Sequence, residues 1–195
     1  MKLMWKDINI TGYATSITWS GSAKQAARSV AFNVAYSPND SDVKNLGIKL
    51  GDKVVFYPDP DNKKKKFVGM VTARERKSEA GELSYTAQDG MIHLLRSSGT
   101  YKFLNKTPEK IAALICSDIK VKTGDIAATK ITIPRIFFQE RPYYEIIMAA
   151  YTQAYKKTKK PYIAQMNKDK LEVIEKGKVI PNFHIRQGER ITSST

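Results

Sequence analysis

Cysteine occurs once in this chain, as Cys116, and histidine twice, as His93 and His184. A single thiol excludes an internal disulfide framework and a cysteine-based zinc cluster. Two histidines far apart in sequence, with no H-E-x-x-H pattern, leave no metal-ligand spacing. No apolar run approaches the roughly 18 residues of a membrane span. The first residues, Met1-Lys-Leu-Met-Trp-Lys-Asp7, lack the apolar stretch of a secretory signal, so synthesis and folding in a cytoplasm are expected. No glycine pattern of a phosphate-binding loop appears, and no G-x-S-x-G elbow. Carboxylates are scarce, 19 against 33 Lys and Arg. Glu140 and Glu145 lie five apart near a helix start, pointing in different directions, and make no convincing acid–base pair. No enzyme is expected, and no catalytic, cofactor-binding or metal-binding residue. Cys116 reads as a buried small hydrophobe, and His93, beside apolar neighbours, as a structural histidine.

The first half of the chain reads as strands. From Arg28 to Tyr36, Val30, Phe32, Val34 and Tyr36 share one face, while Ser29, Ala31, Asn33 and Ala35 share the other. That period of two marks a half-buried strand. Ser37-Pro-Asn-Asp40 ends it, and residues 41–46 suggest a short helical turn. Leu50 to Tyr57 and Phe67 to Arg74 form a hairpin with a charged tip, Pro58-Asp-Pro-Asp-Asn62 followed by Lys63, Lys64, Lys65 and Lys66. Gly69 inside its second strand implies a bulge or a close backbone approach. A turn at Glu79–Glu82 leads into the strand Leu83–Ala87. Short strands punctuated by turns predict a small antiparallel β-barrel.

Near residue 100 the pattern changes. Thr107-Pro108-Glu109 is a helix start, with Thr at the N-cap and Pro at the first position. Ile111, Leu114, Ile115 and Ile119 are its expected apolar stripe. Gly124 is read as a loop, and Ile131–Phe138 as an extended segment interrupted by Pro134. A second helix begins at Pro142 with the stripe Tyr143, Ile146, Ile147, Ala150, Tyr151 and Ala154, and Lys156 and Lys157 suit its last turn. A hairpin about Asn167-Lys-Asp169 follows. The fold class is therefore α+β, an N-terminal antiparallel β-barrel followed by a smaller α+β domain.

The formal net charge is +14. Residues 1–100 hold 15 Lys and Arg against 10 Asp and Glu, and residues 101–195 hold 18 against 9. The excess is spread, which suits a solvated lysine-rich surface and also admits a polyanionic partner. The runs Lys63–Lys66 and Lys156–Lys160 are solvated tips in the plainer reading; in the functional one, Lys63, Lys64, Lys65 and Lys66 touch a partner. Aromatic rings do not interleave with them as stacking platforms for bases would. A basic nucleic-acid-binding module built on a small barrel is the alternative reading, though specific nucleic-acid recognition is not expected.

The order of these pieces carries a resemblance. Leu50-Gly-Asp-Lys-Val-Val-Phe-Tyr57, Phe67-Val-Gly-Met-Val71 and Leu83-Ser-Tyr-Thr-Ala-Gln-Asp-Gly90 with Leu94-Leu95 resemble the first barrel of the phage late control D and baseplate hub family. Phe103–Ile115 looks like the helix opening that family's second domain, and Tyr144–Tyr155 like its later helix. The resemblance implies a structural component of a phage or phage-like contractile tail, a hub joining the tail tube to the spike. It implies a barrel domain over residues 1–102, an inserted α+β domain over 103–182, and a further extended segment beginning at 183–195, truncated at Thr195. Its partners would be tube, spike and baseplate proteins, with a homotrimer in the full-length protein and neither membrane nor cofactor. Its location would be a virion tail or phage-like particle, made in the host bacterial cytoplasm.

Overall fold

In the strand Glu82–Asp89, Leu83, Tyr85, Ala87 and Asp89 are buried and the residues between them are not. That strict alternation sets the first region: every strand turns one row of side chains inward. The computed structural model describes residues 1–177 apart from 23–24, 38–39, 41, 44, 60–65 and 78–80. Seven strands build one antiparallel sheet: β1 (Lys2–Trp5), β2 (Ile8–Asn9), β3 (Ala14–Ser22), β4 (Gln25–Ala35), β5 (Lys53–Tyr57), β6 (Phe67–Lys77) and β7 (Glu82–Asp89). Their order is β2-β1-β5-β6-β7-β4-β3, and the sheet curls into a half-barrel. Leu3, Val30, Phe32, Val54, Phe56, Phe67 and Tyr85 fill its concave side. Phe32 and Tyr85, opposite each other across β4 and β7, stack with ring centroids 5.3 Å apart.

The expected strand face holds, with Val30, Phe32 and Val34 buried. The expected hairpin is β5 against β6. Gly69 is the close approach that its position implied: a Cβ there would stand 2.4 Å from the Gln88 carbonyl and 2.6 Å from the Phe67 ring. The turn expected at 41–46 lies partly outside the described residues; Asp42 and Val43 form a turn and a bend.

The short helix α1 (Met91–Arg96) leads to a second region. There β8 (Ser98–Lys106) pairs with β10 (Ile133–Pro142) as a two-stranded ribbon. β8 has no strict alternation of buried and exposed residues. Pro134 is tolerated in β10 because a two-stranded ribbon leaves each strand one free edge. Helices α2 (Pro108–Asp118) and α3 (Tyr143–Thr158) pack together, and β11 (Tyr162–Asn167) with β12 (Lys170–Glu175) forms the expected hairpin. Gly124 is a correction: it lies inside a strand, β9 (Lys122–Ile126), which pairs parallel with β12.

Thr107 takes the extended cap conformation before α2, but its side chain makes no cap hydrogen bond. Leu114 is also corrected: it is 41% exposed, while Ile111, Ala112, Ile115 and Cys116 are buried. The buried stripe runs at spacings of one, three and four, and residue 114 falls to its side. The α3 stripe holds, with Ile146, Ile147, Ala150, Tyr151 and Ala154 buried. Tyr151 donates a hydrogen bond to the Ala127 carbonyl at 2.8 Å, which lets its phenol be buried at low cost.

Candidate assembly surfaces

Alternation along β7 places Asp89 inward at the strand's end, where only 1% of it is exposed. A carboxylate so placed needs donors. Arg28, one step beyond the Ser29–Gln88 pair, supplies its backbone N–H and its Nε, both at 3.3 Å, and the Met91 N–H adds a third at 3.2 Å. Burial raises the Asp89 pKa, and the Arg28 and Met91 donors pull against that rise. The far side of the same guanidinium donates to the Met166 carbonyl on β11. Gly90 faces Met166 as well, and Phe67 forms an isolated parallel bridge with Lys168. The half-barrel and the β11–β12 hairpin are thus clamped together.

A second aspartate behaves in the opposite way. Asp52, in the turn before β5, accepts from Trp5 Nε1 at 2.8 Å and the Lys49 N–H at 2.9 Å, and pairs with Lys6 Nζ at 2.7 Å. The Lys6 and Lys49 bonds hold its pKa down, at about 2. The Gly-Asp of the sequence motif is therefore a structural tie that fixes β1 to the start of β5.

At the junction of the two regions a groove of about 310 Å³ opens, floored in part by Val68, Met70 and Met166. Lys53, Lys120, Lys122 and His93 stand around it, with Asp169 as the one carboxylate lining it among the described residues. Lys122 pairs with Asp169 at 3.2 Å, and Lys122 and Lys53 both lower the Asp169 pKa. Lys170 lies beside Lys122 in the parallel register. Basic residues from four places in the sequence converge here, none of them in a lysine run. Only the three-dimensional pairing of β9 with β12, and of β6 with the β11–β12 turn, gathers them.

Lys63, Lys64 and Lys65 lie outside the described residues. Lys66 is half-buried, with its Nζ 5.8 Å from the centre of the Tyr57 ring, a cation–π contact across the hairpin. His93 is corrected: its α1 neighbours Ile92 and Leu94 are buried, while its own ring is exposed on the groove. Cys116 is buried, and burial pushes its thiol up to about 11. His184 lies outside the described residues. Among the described residues no three His, Cys, Asp or Glu side chains group as metal ligands, and no helix is long and apolar enough to cross a membrane.

The edge of the large sheet is the other feature of note. β3 carries neither a charged residue nor a proline over its nine residues, and no described strand pairs with its outer side. β11 also lacks charge, but it lies against β4 and its Met166 carbonyl is taken by Arg28. Uncharged open edges are templates for strand pairing.

Residues 17–195 match the model of a protein family described as YqbQ-like. Over 157 residues the chain is 26% identical to the uncharacterized protein YqbQ of Bacillus subtilis (strain 168), covering 80% of this chain and 46% of that protein. Its fold is similar to the 43 kDa tail protein of prophage MuSo2 from Shewanella oneidensis, with a TM-score of 0.75 and 13% identity, over 98% of this chain and 57% of that one. It is similar too to a tail protein from Neisseria meningitidis MC58, at a TM-score of 0.64 and 11% identity, over 88% of this chain and 49% of that one. A weaker likeness, at a TM-score of 0.52 and 10% identity, covers 89% of this chain and 48% of the Escherichia coli c3393 protein. That protein is described as a type VI secretion system component structurally similar to bacteriophage T4 tail proteins. The chain spans about half the length of these relatives. At such identities the likeness to solved structures is one of fold.

Proposed function

The chain belongs to the YqbQ-like family, and from that premise we propose that it is a structural, non-enzymatic part of a phage or phage-like contractile tail. Within the tail it serves as the first portion of a baseplate hub that joins tube to spike. One observation carries this reading: the half-barrel and the region after it follow a prophage tail protein over 98% of the chain at a TM-score of 0.75. In this reading residues 1–102 are the ring-forming domain and 103–182 the inserted domain. The full-length protein is a trimer, assembled in the bacterial cytoplasm and carried in the particle. The neutral edge of β3 is where one sheet continues into its neighbour, and Lys63, Lys64, Lys65 and Lys66 contact an adjoining tail protein.

Immunogold labelling of particles purified from an induced bacterial culture tests the role. Gold at one end of the tail supports a hub; absence of the protein from purified particles rejects it. Light scattering of the full-length protein tests the trimer, and a single-chain mass at all concentrations rejects that part. Nucleic-acid binding that persists near physiological salt, in a protein missing from particles, would favour the basic-module alternative.

A further inference from the structure

The groove at the junction of the two regions combines two properties that rarely coincide on a solvated surface. Its rim is cationic: Lys53 from β5, Lys120 from the turn after α2 and Lys122 from β9 face one carboxylate, Asp169, which Lys122 already holds at 3.2 Å. Its floor is apolar and soft, with Met70 and the buried Met166 beside Val68. Unbranched thioethers adapt to varied apolar side chains and are favoured on binding surfaces. The groove is also held in shape, because the Arg28 bond to the Met166 carbonyl and the Phe67–Lys168 bridge fix its two walls. A preorganised groove loses less entropy when it is filled.

We propose that this groove is a docking site for a short acidic–apolar segment of a partner protein, one in which Asp or Glu alternates with aliphatic residues. The carboxylates would meet Lys53 and Lys120, and an aliphatic side chain would lie on Met70 and Met166. Charge complementarity selects the occupant: among the described lining residues three lysines stand against one aspartate, and on a chain of net charge +14 they oppose a second copy and attract an acidic chain. A nucleic acid fits less well. Among the described residues no Phe, Tyr or Trp ring lines the groove for base stacking, and its volume of about 310 Å³ is that of a few side chains rather than a duplex.

The test is fluorescence anisotropy with the 195-residue chain at about 150 mM salt, where weak surface electrostatics are screened. Three labelled probes are compared: the peptide Asp-Leu-Glu-Ile-Glu-Leu-Asp, the same peptide with Leu and Ile replaced by Ser, and a 20-base-pair DNA duplex. The aliphatic peptide should bind at least roughly tenfold more tightly than either of the others. Lys53→Glu with Lys120→Glu should weaken it by at least about tenfold. Both lysines are exposed, so the double variant should keep its circular dichroism and melting temperature. Met70→Asp should weaken the aliphatic peptide more than the serine one. Equal binding of the two peptides, binding untouched by the double variant, or absence of peptide binding would each overturn the proposal. Tighter binding of the duplex, lost in the double variant, would overturn it in favour of a phosphate-binding surface.

Discussion

The two regions of the chain solve burial differently. In the half-barrel, burial follows the strand period, so a residue's place in the alternation decides its fate. Phe32 and Tyr85 pack inward because of their register, and Asp89 is carried inward by the same rule despite its charge. In the second region burial follows two helical stripes laid on a ribbon and a small mixed sheet, and a polar group such as the Tyr151 hydroxyl is accommodated by one local bond. The difference teaches where a charge can be tolerated: a strict alternation forces a partner to be supplied from elsewhere, here Arg28, and that partner became the link between the regions.

Both tryptophans, Trp5 and Trp19, lie in the half-barrel, while the longer helices lie in the second region. Tryptophan fluorescence and helical circular dichroism therefore read the two regions separately. Phe32→Ala should lower stability by about 4 kcal/mol, and Ile147→Ala by about 3 kcal/mol. Because the clamp couples the regions, each variant should shift both signals together in urea; a shift confined to one signal would break the comparison. Arg28→Ala should cost about 3 kcal/mol by leaving Asp89 buried without its cation, and should pull the two transitions apart. Gly69→Ala should cost about 2 kcal/mol, since the added methyl meets backbone at the Gln88 carbonyl. With the clamp intact, it too should shift both signals together.

Much of the first region was legible because period two leaves a direct mark on sequence: Val30, Phe32 and Val34 declared their face, and Gly69 its crowding. The α3 stripe was equally plain. β8 was not legible, since Ser98–Lys106 mixes exposed Lys102 and Leu104 with a buried Phe103 and exists as a strand only through β10. Gly124 looked like a loop because its strand is short and is stabilised by a parallel partner nearly 50 residues on. The basic groove left no run to notice. Lys53, Lys120 and Lys122 become neighbours only after folding, whereas the conspicuous run at Lys63–Lys66 announced itself without revealing what it touches.

Smaller effects sharpen the contrast. Tyr151→Phe should cost about 1 kcal/mol through loss of one buried hydrogen bond, read from the helical signal. Acid should separate the two aspartates. Asp52 is held down at about 2, against an ordinary value of 3.8, so its contribution is present above about pH 4 and fades as pH falls through 2. Asp89 has the opposite sign: its raised pKa means that its proton favours the fold and is lost as pH rises. Asp52→Asn should flatten the acid limb of a stability–pH curve, and Asp89→Asn should steepen it. Smallest of all, Leu104→Ser on the exposed face of the ribbon should change stability by no more than about 0.5 kcal/mol.

The neutral edge of β3 also bears on how this chain behaves as a colloid. Like charges hold copies of a +14 protein apart in dilute buffer, and that repulsion acts over about 10 Å at 0.1 M salt. An approach along β3 brings together two edges that carry no charged residue. Added electrolyte removes the repulsion without weakening backbone pairing at that edge, so turbidity in concentrated solutions should rise with ionic strength. A single lysine placed at Thr18, on the exposed surface of that strand, should restore clarity.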